Sequence, residues 1–415
     1  MPSCELITIG SELLNGSVLN TNAQYLARQV TALHIDVVHQ SSCLDREPEI
    51  IGALDQAFER SRLIIVTGGL GSTPDDVTRQ AVARYFGCGL TYHRDQYRHI
   101  VKHFQASGCG VAPITRCEAY FPTVAKPLLN RAGIALGFYV LRSGRLLVVL
   151  PGVPRELVNI FERCVRRLIE KEVTDRPAWY WLTAKIIGLN EPQVMRRLGR
   201  KFFKRGEFEF GIYPEIGEVT IRIKSKQKRL NAGLGRELKE RFGPRLFSFE
   251  DVPIASVIGR ALRRRKLSLA VAESCTGGLI ASSLARIPGI SDSLCGSFVV
   301  YRELSKQKWL HIPASLLKKK GAVSQEVAAQ MAHSALRRTP EADMALAITG
   351  HLGPTASPQN EGIVFIGLSG RRIAESKILK LKLLPRKRPA HFQLRRKRQL
   401  LASHVVLSMV RSLLG

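Results

Sequence analysis

No stretch of this 415-residue sequence stays apolar for the roughly 20 residues that a membrane-spanning helix needs. A bilayer is therefore excluded as the expected environment. The opening Met1-Pro2-Ser3-Cys4-Glu5 lacks a basic segment before its first strand-like run, so a secretory leader is not expected and a cytoplasmic location is. The eight cysteines form no C-x-x-C pair and no Cys/His group at metal-ligand spacing, which argues against a disulfide framework or a structural zinc site. Aromatic residues make up only 7% of the chain, too few to interleave with its basic runs as stacking platforms for bases. Acidic residues are also scarce: 34 Asp and Glu face 63 Lys and Arg, giving a formal net charge of +29. That excess suits anionic partners such as nucleotides. It is spread along the whole chain, so a general bias of the source towards basic proteins explains it better. Weak, sequence-independent nucleic-acid binding is the most that it predicts.

What is present is the pattern of a soluble α/β protein. A length of 415 residues exceeds one compact core. Three segments follow from the periodicity. In 1–170, short apolar strands (Leu6–Ile9, Ile35–Val38, Leu63–Val66, Leu146–Leu150) alternate with amphipathic helices, which predicts a parallel sheet covered on both faces. In 171–250, Glu207–Tyr213 and Glu218–Ile223 alternate with period two around Pro214–Gly217. They predict a β-hairpin with one solvated face inside a small α+β domain. From 251 to 415 the chain is α/β again, with Leu384–Arg398 as a candidate loop broken by Pro385 and Pro389.

In an open sheet, ligands gather beyond the carboxyl ends of parallel strands. Two loops of the first segment lie there. One is Gly10–Gly16 with Glu12, followed by Asn20, Thr21 and Asn22. The other is Thr67-Gly68-Gly69-Leu70-Gly71-Ser72-Thr73-Pro74-Asp75-Asp76-Val77-Thr78. Glycines there let backbone N–H groups approach an anion at a helix N-terminus, and Asp75 and Asp76 could hold Mg²⁺ against a phosphate. Asp76 and Thr78 read equally well as helix caps. In the third segment, Ser274 follows a buried strand and precedes the tight turn Gly277-Gly278, a setting that suits an exposed nucleophile among free N–H groups. Lys306 could serve as its base if burial lowers the lysine pKa, and Tyr301 could relay a proton or orient the amine. Taken alone, the same residues also fit a helix cap, a strand aromatic and a solvated lysine.

The longer patterns resemble a known family. Thr67–Thr78 is similar to the phosphate loop of the molybdenum-cofactor-biosynthesis fold. Together with Glu12-Leu13-Leu14, Asn20-Thr21-Asn22, Leu150-Pro151-Gly152-Val153-Pro154 with Glu156, and Gly188 with Glu191, it resembles the CinA family in order and spacing. Ala272-Glu273-Ser274-Cys275-Thr276-Gly277-Gly278, Tyr301, Lys306, Gly321–Ser324 and Thr349-Gly350-His351-Leu352-Gly353-Pro354 continue the resemblance to that family's C-terminal domain and to stand-alone nicotinamide mononucleotide deamidases.

The resemblance implies a molybdopterin-binding-like N-terminal domain and a C-terminal amidohydrolase. Catalysis would fall to Ser274, Tyr301 and Lys306, with no cofactor. Substrate binding would fall to Glu273, Thr276, Gly277, Gly278, Thr349, Gly350, Gly353 and Arg396, and the oxyanion to N–H groups of 276–278. For the N-terminal site it implies Glu12, Asn20, Asn22, Thr67, Gly68, Gly69, Gly71, Asp75 and Thr78, a divalent metal at Asp76, and ADP-ribose pyrophosphatase activity. It also implies nucleotide substrates and a homodimer. The sequence departs from the family pattern at Ser72, at Ile134 and Leu136, and at His351 and Leu352. It departs again at Thr355-Ala356-Ser357-Pro358 and in lacking the late Gly-Asp-Arg motif, for which Leu394-Arg395-Arg396 is the nearest candidate.

Overall fold

The continuous apolar runs predict strands buried on both faces, and that is how they are used. The computed structural model describes residues 2–175, 178–353, 357, 359–370, 379–382 and 391–414. The chain divides into two compact units, Met1–Ala178 and Trp179–Gly415. Strands are numbered in chain order, and helices are given by their residues.

The first unit holds β1 (Ser3–Ile9), β2 (Asp36–Cys43), β3 (Leu63–Thr67), β4 (Leu90–Tyr92), β5 (Tyr120–Pro122), β6 (Lys126–Leu128), β7 (Gly137–Arg142) and β8 (Arg145–Leu150). Its main sheet has the order β2-β1-β3-β8-β7-β6, while β4 and β5 pair separately. The first four strands are parallel; β7 pairs antiparallel with β8 and β6 antiparallel with β7, so the expected parallel sheet is a mixed one. The added edge comes from a β7–β8 hairpin turning at Ser143 (φ 51°) and Gly144 (φ 73°), both left-handed as a two-residue type I′ turn requires. Side chains alternate between two cores. Leu6, Leu63, Ile65, Val148 and Leu150 pack with helices Thr21–Ala32 and 154–172. Ile7, Ile64, Val66 and Val149 pack with Glu47–Arg60 and Thr78–Tyr85 on the other face. Leu136, one of the departures from the family pattern, is absorbed into the second of these cores.

The second unit contains two sheets. One is antiparallel, with the order β10-β11-β9-β12, built from β9 (Tyr180–Ile187), β10 (Glu209–Glu215), β11 (Glu218–Ser225) and β12 (Leu246–Ser248). The hairpin is tighter than its sequence suggests: Glu215 pairs with Glu218, and Pro214 lies within edge strand β10, where a missing N–H is tolerated. The solvated face expected for β11 is also absent, because its residues are covered on both faces of the sheet. Val219, Ile221 and Ile223 fill one core, and the opposite face buries Glu218 in an ion pair with Lys185 at 2.8 Å.

The other sheet has the order β14-β13-β15-β16-β17, from β13 (Leu269–Glu273), β14 (Leu294–Val299), β15 (Met344–Gly350), β16 (Ile363–Gly370) and β17 (Leu379–Lys382). Its strands β14, β13 and β15 are parallel and the last two antiparallel. Leu269 and Val271 face helices Ile254–Arg265 and His391–Leu413, whereas Ala270 and Ala272 face Gln325–Arg338. The basic stretch read as a loop is helical from His391 onward; its earlier part lies outside the described residues. Among the described residues, no helix is long and apolar enough to cross a membrane.

Candidate functional site

Three parallel strands of the last sheet end on one side, and a cavity of about 360 Å³ opens beyond them. β13 delivers Ser274, β14 delivers Tyr301, and β15 delivers Gly350 to Gly353, all lining it. The chain can turn back after Ser274 because Gly277 (φ 64°) and Gly278 (φ 97°) are left-handed, which a side chain would resist.

Lys306 enters from helix Glu303–Leu310 with a side chain only 1% exposed. Its Nζ donates to Ser274 Oγ at 2.9 Å and to the Val300 carbonyl at 3.0 Å. Burial holds its pKa below that of an ordinary lysine, with Cys275 and Glu303 pulling weakly the other way. A neutral amine within hydrogen-bond reach of a serine hydroxyl can accept its proton. The neighbouring Cys275 is no competing nucleophile: burial pushes its thiol up to about 12, so it stays protonated.

The other expected residues separate into those that face the cavity and those that build it. Glu273 is fully buried, and its carboxylate accepts the N–H groups of Gly278, Ile280 and Ala281. It anchors the turn rather than facing a substrate. The Gly277 N–H is also committed, to the Ser274 carbonyl. Expectation placed the oxyanion donors at 276–278. The amides without an acceptor among the described residues are those of Cys275 and Thr276, one residue earlier. Thr349 is buried and donates to the Ala322 carbonyl at 3.0 Å, fixing a second wall, while Gly350 leaves no room for a Cβ against Val364 and Ile363.

Arg396, favoured by sequence, is exposed and lies outside the cavity wall. Its neighbour Arg395 lines the cavity and donates to the Tyr301 hydroxyl. One helical turn further on, Gln399 Nε2 donates to the Cys275 carbonyl at 3.0 Å. A helical reading of the segment would have found both, since 395, 399, 402 and 406 share one face and Ala402 and Val406 are buried. His351 also lines the cavity, and partial burial lowers its pKa, favouring the neutral ring. Thr355 lies outside the described residues.

The glycine loop of the first unit works differently. Its carbonyls turn inward: Gly68 accepts from Thr78 Oγ1, Gly69 from the Thr78 N–H, and Leu70 and Gly71 from the guanidinium of buried Arg79. The N–H groups of Gly69, Leu70, Gly71 and Ser72 have no acceptor among the described residues. Asp76 Oδ2 accepts from the Thr73 N–H at 3.0 Å and from its hydroxyl, so the carboxylate braces the loop; Asp75 is exposed. Asn20 caps helix Thr21–Ala32 through Ala23 N–H and also donates to Thr8, while Asn22 donates to the Gly152 carbonyl. Glu12 is exposed and Thr67 buried. Among the described residues no three His, Cys, Asp or Glu side chains stand close enough to share an ion. Sequence reading missed Arg79 and Glu118. Glu118 is buried with an unpartnered Oε2; burial, aided by Glu156 and Asp76 and opposed by Arg79 and Ser72, pushes its carboxyl up to about 7.

Known proteins match this arrangement along most of the chain. Residues 5–171 fit the model of the probable molybdopterin binding domain, and residues 251–394 that of the CinA C-terminal domain. A putative competence-damage inducible protein of Caldicellulosiruptor saccharolyticus is 34% identical over 380 residues, 90% of this chain and 92% of that protein. The chain belongs to the CinA family. A CinA-like protein of Kosmotoga olearia is 33% identical over 88% of this chain and 90% of its own. The solved structure of CinA from Thermoplasma acidophilum, at 30% identity and a TM-score of 0.37, covers 41% of this CinA-family chain and 97% of that one.

Proposed function

We propose that the C-terminal part of this CinA-family protein is a serine amidohydrolase that converts nicotinamide mononucleotide to nicotinate mononucleotide and ammonia. The reading rests on one observation above all: Ser274 Oγ and the buried Lys306 amine lie 2.9 Å apart at the wall of a cavity. Ser274 Oγ attacks the carboxamide carbon while neutral Lys306 takes its proton. The negative charge developing on the carbonyl oxygen falls to the Cys275 and Thr276 N–H groups. Lys306 returns the proton to the departing nitrogen, and ammonia leaves a Ser274 ester. Lys306 then draws a proton from the water that attacks the ester and passes it to Ser274 Oγ as the acyl C–O bond breaks, which frees nicotinate mononucleotide and restores the starting state. Arg395, oriented by Tyr301, supplies the positive charge for the nucleotide phosphate. A cavity of about 360 Å³ suits a substrate of that size.

Ammonia release from nicotinamide mononucleotide by the purified protein tests the reading. Ser274→Ala is expected to lower turnover by about 10²-fold or more. Wild-type release from that variant would sink the mechanism.

The free amides of Gly69 to Ser72 favour a second reading for the first unit, a site for a phosphorylated ligand such as ADP-ribose. Its pyrophosphatase chemistry would call on a divalent metal held between Asp76 and a ligand phosphate. Anion binding by the loop requires none, and calorimetry with ADP-ribose, with and without Mg²⁺, separates the two.

A further inference from the structure

The catalytic cavity is not the roomiest in the second unit. A cavity of about 840 Å³ lies elsewhere, where helix Glu191–Leu198, the turn Gly243–Arg245 and the C-terminal half of helix His391–Leu413 meet. None of its lining residues belongs to the Ser274 site. Its floor is apolar, from Ile187, Phe242, Val405, Met409 and Leu413. Its rim carries Arg197, Arg241 and Arg245 against one acid, Glu240.

The three arginines are not equivalent. Arg241 spends its guanidinium on Glu237 and on the carbonyls of Arg197 and Leu198. Arg197 and Arg245 are each held by a single bond from Nη1 to a carbonyl, of Arg241 at 3.3 Å and of Gly188 at 3.2 Å. Neither has a carboxylate partner among the described residues. Each is therefore oriented at one nitrogen while its other N–H groups stay free, so little side-chain freedom is left to lose on binding an anion. The turn is fastened from the other side, where Arg411 donates to the Pro244 carbonyl. An apolar floor beneath two oriented, unneutralised guanidinium groups matches a ligand with the same two halves.

We infer that this cavity is a second small-molecule site, for an organic anion carrying an aromatic or acyl body and a single phosphate, sulfonate or carboxylate. Its volume falls within the roughly 300–1,000 Å³ of small-ligand sites. The body lies on Phe242 and Met409 and the anionic group meets Arg197 and Arg245. The site is independent of the amidase reading, because it shares no residue with it.

Calorimetric titration of the full-length protein with 1-naphthyl phosphate, and with 1-naphthol as the uncharged control, tests this assignment. One phosphate-dependent site per chain is expected. The double variant Arg197→Ala/Arg245→Ala, at two exposed positions, should bind at least about ten-fold more weakly with an unchanged thermal midpoint, the fold-change for losing charge-assisted hydrogen bonds. Met409→Trp should fill the cavity and abolish binding, whereas Arg395→Ala should leave this binding intact. Three results would overturn the inference: no binding at millimolar ligand, wild-type affinity in the double variant, or loss of binding only in Arg395→Ala, which would assign the probe to the smaller cavity.

Discussion

The two candidate sites occupy the same place in their sheets, beyond the carboxyl ends of parallel strands, yet they present different atoms. At the C-terminal site the side chains of Ser274 and Lys306 face each other and the cavity, while Glu273 and Gln399 hold the backbone around them. At the N-terminal site the side chains of Thr78, Arg79 and Asp76 are turned on the loop itself, and main-chain N–H groups are what remains. The first arrangement offers a hydroxyl and an amine within hydrogen-bond reach of each other, and the second offers main-chain donors. The same position in a sheet thus presents different chemistry according to which groups are left unbonded.

The largest expected effect follows from removing the one base. Lys306→Ala should lower ammonia release by about 10²-fold or more, and Lys306→Arg should not restore it, because a guanidinium does not give up its proton near neutrality. Since burial lowers the lysine pKa, the rising limb of the pH–rate profile should have its midpoint below the 10.5 of an ordinary lysine. A limb at or above that value would remove Lys306 from the mechanism. A smaller effect is expected from a methyl group in the cradle. Gly69 has φ 65°, and a Cβ there would sit 2.1 Å from Thr78 Oγ1, so Gly69→Ala must distort the loop. Its affinity for ADP-ribose should fall by about ten-fold, roughly 1.4 kcal/mol, with ammonia release unchanged. Equal affinity would show that the amides of this loop bind nothing.

Asp76 sharpens the contrast further. If its carboxylate only braces Thr73, Asp76→Asn keeps an acceptor and should bind ADP-ribose within about three-fold of wild type. Asp76→Ala removes the acceptor of both Thr73 hydrogen bonds and should lose about ten-fold or more. Selective loss of Mg²⁺-dependent affinity in Asp76→Asn would restore the metal role. The smallest effect concerns stability. Glu118 titrates near 7 when folded and near 4.5 when unfolded. Between these values the folded state binds more protons, so stability falls as pH rises through that window and levels off above 7. Glu118→Gln removes this loss. Its gain in thermal midpoint should be larger at pH 8 than at pH 5, by roughly 2–6 °C; equal gains would place the carboxyl in an ordinary environment.

The strands and most helices were legible because apolar residues repeat with the period of the element that buries them. The β7–β8 hairpin was not, since its signal is a Ser143-Gly144 turn without the usual asparagine or aspartate. Ser274 and Lys306 were legible as types at a spacing, but their separation depends on how helix Glu303–Leu310 is set against β13. The placement of Arg396 outside the cavity wall has a simple physical source. A segment with two prolines and many arginines was read as loop, so the helical face that brings Arg395 and Gln399 inward went unused. Arg79 and Glu118 carried no periodic signal, because their role comes from burial against the glycine loop, which Arg79 directly follows and from which Glu118 is distant in sequence.

The bond from Gln399 to Cys275 joins residues 124 positions apart, and Arg395 belongs to the same late helix. During synthesis at roughly 5–20 residues per second, the nucleophile and its lysine leave the ribosome well before the wall that completes their pocket. For that interval, on the order of ten seconds, a growing chain carries Ser274 without the groups that would seat a substrate against it. Truncation or proteolytic loss of the segment from His391 onward would return the protein to that state. The pocket around Ser274 is thus completed only when helix His391–Leu413 has formed.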